Sequence, residues 1–308
     1  MESPLVCIVG PTAVGKTAIS IQLAQRLNAE IVSLDSRQIY RQMDIGTAKP
    51  TIAEQQAVRH HIIDCANIDE PFTAADYQRL ADAALAEIDG QGKRGLIVGG
   101  AGLYFRVLID GLFEGPGADI AIRTRLQQEA KAHGATVLHE RLRKCDPIAA
   151  ERIHPNNLVR VIRALEVYEL TGVPISSLQR QWGPTESRYR FRAFGLNMPR
   201  EVLYQRIESR ADQMIAAGLI EEVQKIIDAG YRRDCVAMQS FGYKEIVDYL
   251  DGKHNRDEAI ALLKQNTRRF AKRQLTWFRQ DSRIEWVDLS QFTSPDDILN
   301  NLIERITV

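Results

Sequence analysis

Apolar residues along this chain fall into two kinds of run, and their order predicts the architecture. Leu5-Val6-Cys7-Ile8-Val9 is continuous, largely β-branched and stopped by Gly10-Pro11, the pattern of a strand buried on both faces of a parallel sheet. Residues 16–27 then repeat at helical spacing, with Ile19, Leu23 and Leu27 on one side. Glu30-Ile31-Val32-Ser33-Leu34 reads as a second strand, stopped by Asp35, and Gly95-Leu96-Ile97-Val98 as a third, stopped by Gly99-Gly100. The helix before that third strand starts near the capping signal Thr73-x-x-Asp76. Strands alternating with helices predict an α/β fold: a parallel sheet with helices on both faces.

After about residue 115 the texture changes. Segments 119–133, 135–145 and 156–171 read as helices with no strand among them, and the loop signals Gly115-Pro116-Gly117 and Gly183-Pro184 bracket the stretch. Alternation returns in Tyr189-Arg190-Phe191-Arg192-Ala193-Phe194-Gly195-Leu196, a predicted strand. Residues 116–188 are therefore read as an all-helical insertion, with 1–115 and 189–308 forming one core. The remainder is mostly helical, with one short strand at Ile284 to Val287 and no internal repeat.

Composition narrows the class without naming a partner. Of 308 residues 44% are hydrophobic, which fits a globular chain and excludes a disordered or collagen-like one. The 40 Lys+Arg against 40 Asp+Glu look wrong for a nucleic-acid binder, but the charges are segregated. Residues 116–188 carry 11 basic and 8 acidic groups and residues 256–283 carry 8 and 3, against 10 and 14 in residues 1–115 and 1 and 5 in residues 284–308. Cys7, Cys65, Cys145 and Cys235 stand far apart, with neither zinc nor disulfide spacing, and read as reduced thiols. No apolar stretch has the length of a membrane helix, and Met1-Glu2-Ser3-Pro4 lacks the basic start of a signal peptide, so a cytoplasmic location is expected.

The chemistry begins at Gly10-Pro11-Thr12-Ala13-Val14-Gly15-Lys16-Thr17, which matches G-x-x-x-x-G-K-[ST] between a buried strand and a helix. In such a loop backbone N–H groups and the helix N-terminus cradle phosphate oxygens, the lysine pairs with the terminal phosphate, and the threonine hydroxyl ligates Mg²⁺. Asp35 should stand at the carboxyl edge of the sheet, where open α/β folds bind ligands. Three roles remain open for it: holding the water shell of Mg²⁺, general base, or, with Ser36, N-cap of the next helix.

From Asp257 to Gln280 the chain reads as one amphipathic helix on which Lys264, Arg268 and Lys272 recur every fourth residue beside Arg269 and Arg273. It is either a rail for a phosphate backbone, with Trp277 and Phe278 against sugars or bases, or a solvated face. Arg206 and Arg210 share a face of the helix 200–217, suited to surface ion pairs or to an anionic ligand. His60-His61 reads as packing, since adjacent side chains point to different sides. Gly99-Gly100-Ala101-Gly102 ends a strand where a ligand or another chain segment approaches closely.

Taken together, several motifs strongly resemble the bacterial tRNA dimethylallyltransferase (tRNA isopentenyltransferase) family. They are the phosphate loop, Asp35-Ser36-Arg37-Gln38-Ile39-Tyr40, Met43-Asp44-Ile45-Gly46-Thr47-Ala48-Lys49-Pro50, Ala164-Leu165-Glu166-Val167, Gly242-Tyr243-Lys244 and Ala271 to Arg279. The resemblance runs in order over nearly the whole chain, and its Asp44 to Pro50 run is far more specific than the phosphate loop. It implies a P-loop NTPase-like core with a helical insertion that grips the anticodon stem-loop. It further implies transfer of a dimethylallyl group from dimethylallyl diphosphate to N6 of the adenosine 3′-adjacent to the anticodon, with Mg²⁺ on Thr17 and release of diphosphate. By resemblance Asp35 is the base, Lys16, Thr17 and Arg210 face the diphosphate, and the loop Gly10 to Thr17 holds it.

The tRNA contacts carried over are Asp35, Ser36, Arg37 and Gln38, Ala101, Arg123, the run Val159-Arg160-Val161-Ile162-Arg163, the run Gln239-Ser240-Phe241-Gly242-Tyr243-Lys244, and Lys272 with Arg273-Gln274-Leu275-Thr276-Trp277-Phe278-Arg279-Gln280. One departure stands out: the family usually has Gly-Gly-Thr where this chain has Gly99-Gly100-Ala101. Ala101 thus lacks a hydroxyl expected to position the adenine or the base, and single-turnover prenyl transfer is expected to speed up in Ala101→Thr; equal rates would refute that role. No partner subunit is expected. Three other readings compete: a P-loop kinase of small molecules, an isopentenyltransferase of free adenine nucleotides, and an RNA-binding protein with a vestigial loop. The first leaves the insertion and the basic helix unexplained, the second needs neither, and the third leaves Lys16, Thr17 and Asp35 without a purpose.

Overall fold

The computed structural model describes residues 3–112, 115–179 and 187–307. The Gly183-Pro184 loop signal and Met1-Glu2 lie outside the described residues. Six parallel strands form one sheet in the order β3-β2-β4-β1-β5-β6: β1 (Leu5–Val9), β2 (Ala29–Leu34), β3 (His60–His61), β4 (Arg94–Gly99), β5 (Phe191–Asn197) and β6 (Ile284–Asp288). Register carries the apolar pattern across the sheet, with Val6 opposite Leu96 and Arg192, and Val9 opposite Gly99 and Gly195.

The strand residues alternate between two cores, which is why β1 reads as uninterrupted apolar sequence. Leu5, Cys7, Val9, Val32, Leu34 and Ile97 enter one core; Val6, Ile8, Ile31, Leu96, Phe194 and Leu196 enter the other. Around this sheet lie α1 (Lys16–Leu27), α2 (Ile52–Ala57), α3 (Ala74–Gly90) and α4 (Gly102–Asp110). The insertion supplies α5 (Ile120–His133), α6 (Ala135–Cys145), α7 (Pro147–Arg152), α8 (Leu158–Thr171) and α9 (Ile175–Leu178). The chain ends through α10 (Arg200–Ala216), α11 (Leu219–Asp228), α12 (Tyr243–Leu250), α13 (Arg256–Phe278) and α14 (Pro295–Thr307).

Two compact units result, residues 3–109 with 188–307 and residues 110–187. The second has its own core of Leu126, Leu138, Leu142, Val161, Leu165 and Val167.

Three expectations shift. The pair His60-His61 is a strand, pairing with Ile31 and Val32, so Gly99 ends the fourth strand rather than the third. Two residues are too few to show a period. The helix expected from residue 156 starts at Leu158, because Asn157 N–H closes a turn on the His154 carbonyl at 2.8 Å. The β5 strand starts two residues later than expected, at Phe191, after a segment where Tyr189 Oη and Arg188 Nη2 both donate to Asp82, each at 2.7 Å.

Candidate active site

Three strand ends meet where ligands of parallel sheets bind: β1 runs into the phosphate loop, β2 into Asp35, and β4 into Gly100-Ala101. Gly15 lies at φ 104° and caps the first turn of α1, a conformation that suits glycine. The buried side chains of Pro11, Ala13 and Val14 support the loop from below, leaving its N–H groups as the part a phosphate could touch. Lys16 Nζ folds over the loop and donates to the carbonyls of Gly10 at 3.0 Å and Pro11 at 2.7 Å. Burial pulls its pKa down to about 7; Asp35 opposes that shift and Arg210 adds to it.

Asp35 does not cap a helix, since the next one starts at Ile52 under a Thr51 capping box. Instead Oδ1 accepts from the N–H of Arg37 at 2.8 Å and of Gln38 at 3.3 Å, closing a turn. Burial raises the carboxyl pKa above the ordinary range against these bonds and the nearby Lys16 and Arg37. Behind it, Gln38 accepts from Ser33 Oγ at 3.2 Å and donates to the Ala48 carbonyl at 3.1 Å.

The irregular segment Met43 to Pro50 is held from several sides. Glu222 accepts from the N–H groups of Asp44, Ile45 and Gly46 at 3.1, 2.8 and 3.2 Å and from Tyr243 Oη at 2.5 Å. The buried Lys49 ammonium binds Asp44, Asp64 and the Tyr40 carbonyl at 2.5, 2.5 and 2.9 Å. This run, far more family-specific than the phosphate loop, is thus clamped in place, and its Gly46, Thr47, Ala48 and Pro50 also line the cavity. Glu222 carried no sequence signal, since nothing in a helix marks the residue that binds a loop 176 positions away.

Lys16, Thr17, Asp35, Ala101 and Arg210 line one cavity of about 440 Å³, with Ser36, Arg37 and Gln38 along its wall. Burial lowers the Arg210 pKa, with Arg206 adding to the shift and Glu54 opposing it. Arg206 itself reaches the Val14 carbonyl at 3.4 Å. Phe241, Phe270, Arg273 and Trp277 also line the cavity, the Arg273 guanidinium lying 5.2 Å from the Phe241 ring centre and 5.8 Å from that of Phe270.

Among the described residues no three His, Cys, Asp or Glu stand together as a metal cage. One hydroxyl (Thr17) and one carboxylate (Asp35) on the same wall do fit Mg²⁺, which keeps several waters and takes substrate phosphate oxygens.

Several side chains carried over as tRNA contacts are engaged elsewhere. Val161 and Ile162 are 0% and 5% exposed in the core of the insertion, so only Val159, Arg160 and Arg163 of that run present side-chain surface. Arg123 and Arg163 both bind the buried Glu166 carboxylate, at 2.8 and 2.7 Å, and hold the insertion together. In the later runs Ser240, Gly242, Tyr243 and Phe278 are buried, and Gln274 spends both ends of its amide inside the protein. Gln239, Phe241, Lys244, Lys272, Arg273, Thr276, Arg279 and Gln280 are exposed, with Leu275 and Trp277 between. The basic helix is also less free than its periodicity implied: Lys264 pairs with Asp212 at 2.7 Å and Arg268 with Glu208, both on α10.

Comparison with known proteins places the chain. Residues 38–281 match the family model for IPP transferase, which starts beyond both the phosphate loop and Asp35. A tRNA dimethylallyltransferase 1 of Pelobacter propionicus is 50% identical over 284 residues, covering 92% of each chain. The crystal structure of the tRNA isopentenylpyrophosphate transferase of Bacillus halodurans is similar with a TM-score of 0.74 at 45% identity, over 99% of this chain and 97% of that one. A eukaryotic dimethylallyltransferase acting on tRNA is similar with a TM-score of 0.80 at 26% identity, over 99% and 80%. With a sheet, a phosphate loop and a strand-end aspartate arranged around one cavity, and matches that span nearly its whole length, the chain belongs to the IPP transferase family.

Proposed function

We propose that the chain transfers the dimethylallyl group of dimethylallyl diphosphate to N6 of the adenosine 3′-adjacent to the anticodon of tRNA, giving N6-(dimethylallyl)adenosine and diphosphate. The observation that carries this reading is a carboxylate and an ammonium on one cavity wall whose pKa values are displaced toward each other, Asp35 up and Lys16 down. The N6 lone pair attacks the first carbon of the allyl group while the C–O bond breaks and its electron pair leaves with the diphosphate. The proton lost from N6 passes to Asp35, whose raised pKa makes it a better acceptor than an exposed aspartate.

Lys16, Arg210 and the loop N–H groups from Ala13 to Thr17 hold the leaving group, and their charge counts most as negative charge builds on its bridging oxygen. Mg²⁺ held by Thr17 would supply further stabilisation of that charge. The target base must leave its stack to reach the cavity, whose aromatic and Arg273 lining suits a purine. The helical unit 110–187 is assigned the anticodon stem-loop, and the protein is taken as a cytoplasmic monomer. Among the described residues no helix is long and apolar enough to cross a membrane.

The test is to incubate the protein with dimethylallyl diphosphate, Mg²⁺ and unmodified tRNA, digest the RNA, and separate its nucleosides by mass. A prenylated adenosine is expected. Its absence, with ATP and not diphosphate plus tRNA raising the melting temperature, would favour a kinase instead.

A further inference from the structure

Gln274 sits at the junction of the site's two halves. Its side chain belongs to α13, is 7% exposed, and divides its amide between two backbones. Oε1 accepts from Thr12 N–H at 2.8 Å, and Nε2 donates to the Gly100 carbonyl at 3.0 Å. Thr12 belongs to the phosphate loop and Gly100 to the turn that carries Ala101 into the cavity. The fit is tight: a Cβ on Gly100 would stand 2.1 Å from Nε2, so the latch itself explains a glycine there. The amide occupies the Thr12 N–H, so that donor is spent on alignment.

We infer that Gln274 is a positioning residue of the reaction. It holds the loop that carries the leaving group at a set separation from the β4 turn that lies beside the acceptor, from a helix whose neighbouring Lys272, Arg273 and Thr276 face solvent. Prenyl transfer needs the allyl carbon and the attacking nitrogen in line and close, so a small relative drift of these two loops costs rate even when both substrates are bound. This rests on the transferase reading above.

Gln274→Met removes both bonds at similar volume, and Gln274→Glu keeps an acceptor for Thr12 N–H while setting an oxygen against the Gly100 carbonyl. Each variant is measured for pyrophosphate affinity, tRNA affinity and the single-turnover rate with both substrates saturating. In Gln274→Met, pyrophosphate binding is expected to weaken about tenfold and the saturated rate to fall about tenfold or more, with tRNA affinity within about twofold. Gln274→Glu should lose rate as Gln274→Met does and bind pyrophosphate no better, since its carboxylate adds negative charge beside the phosphate loop. A weakened tRNA affinity with an unchanged saturated rate would make Gln274 an RNA contact and overturn the inference. So would a lowered melting temperature with affinity and rate intact, or a Gln274→Glu variant with a wild-type saturated rate. If the wild type itself made no prenylated adenosine, the transferase reading would be what failed; the pyrophosphate affinities would still test the Thr12 latch.

Discussion

Burial holds the Lys16 ammonium of the free protein at a pKa of about 7. A bound diphosphate brings several negative charges against that group and returns it to the charged state, carrying its pKa back toward the ordinary lysine value of about 10.4. Binding must then draw a proton from solution. With those two values, uptake is about one-tenth of a proton per site at pH 6, about half at pH 7 and about nine-tenths at pH 8. Because the protonated lysine is the form that binds, affinity should also drop about tenfold for each pH unit above 7 until the pKa of the complex is approached. Calorimetry of pyrophosphate binding in two buffers of different ionisation enthalpy measures the uptake directly. Lys16→Arg is the reference, since its guanidinium stays charged throughout and the ligand's own protonation cancels in the difference. Equal uptake by the two proteins at pH 8, or a wild-type affinity flat between pH 7 and 9, would refute the reasoning.

Other outcomes follow from the same geometry. Asp35→Asn should lower the saturated single-turnover rate by about 10²–10⁴ while leaving tRNA affinity nearly unchanged. The wild-type rate should fall with decreasing pH through a value above the ordinary carboxylate range, since the base acts ionised and burial raises its pKa; a profile flat through that range would contradict the base assignment. Affinity for tRNA should drop steeply with salt, and Lys272→Gln with Arg273→Gln should flatten the log–log slope by about 1.4, two contacts at about 0.7 each to single-stranded RNA. Lys264→Gln and Arg268→Gln, whose charges are already met by Asp212 and Glu208, should leave that slope alone; an equal flattening from this pair would show the whole helix to be the rail. Gly46→Ala places a Cβ 2.5 Å from the Tyr243 ring and 2.9 Å from Leu219, which should cost about 1–3 kcal/mol in denaturant unfolding; a loss below about 0.5 kcal/mol would mean the clamp is loose.

What the sequence made legible was local. Buried strands and the helices after them show in the order of apolar residues, so β1, α1, β2 and β4 emerge within a residue or two. The loop glycines, Lys16, Thr17 and Asp35 follow from position alone, because a strand end in a parallel sheet is where a site forms. Partnerships across hundreds of positions did not show. Thr12 with Gln274, and Gly46 with Glu222 and Tyr243, depend on which elements pack, and no periodicity reports that. The strand at His60-His61 escaped sequence reading for the opposite reason, being too short to carry a period.

Contact runs carried over as blocks met a geometric limit. Residues 273–278 lie on α13, and a helix turns a full circle in about 3.6 residues, so one flat partner cannot touch them all. Gln274 and Phe278, four apart, face inward; Lys272, Arg273 and Thr276 face out. The same phase separates buried Val161 and Ile162 from exposed Val159 and Arg160 on α8. Charge obeys that phase too. The basic residues of 256–283 divide in the structure: Lys264 and Arg268 tie α13 to α10, which carries Arg210 to the cavity, while the Lys272 and Arg273 side chains are exposed. Under the proposed reading, a helix divided in this way would couple RNA contact to the diphosphate site through rigid packing rather than through charge alone. Its inward residues should therefore govern rate, and its outward ones affinity.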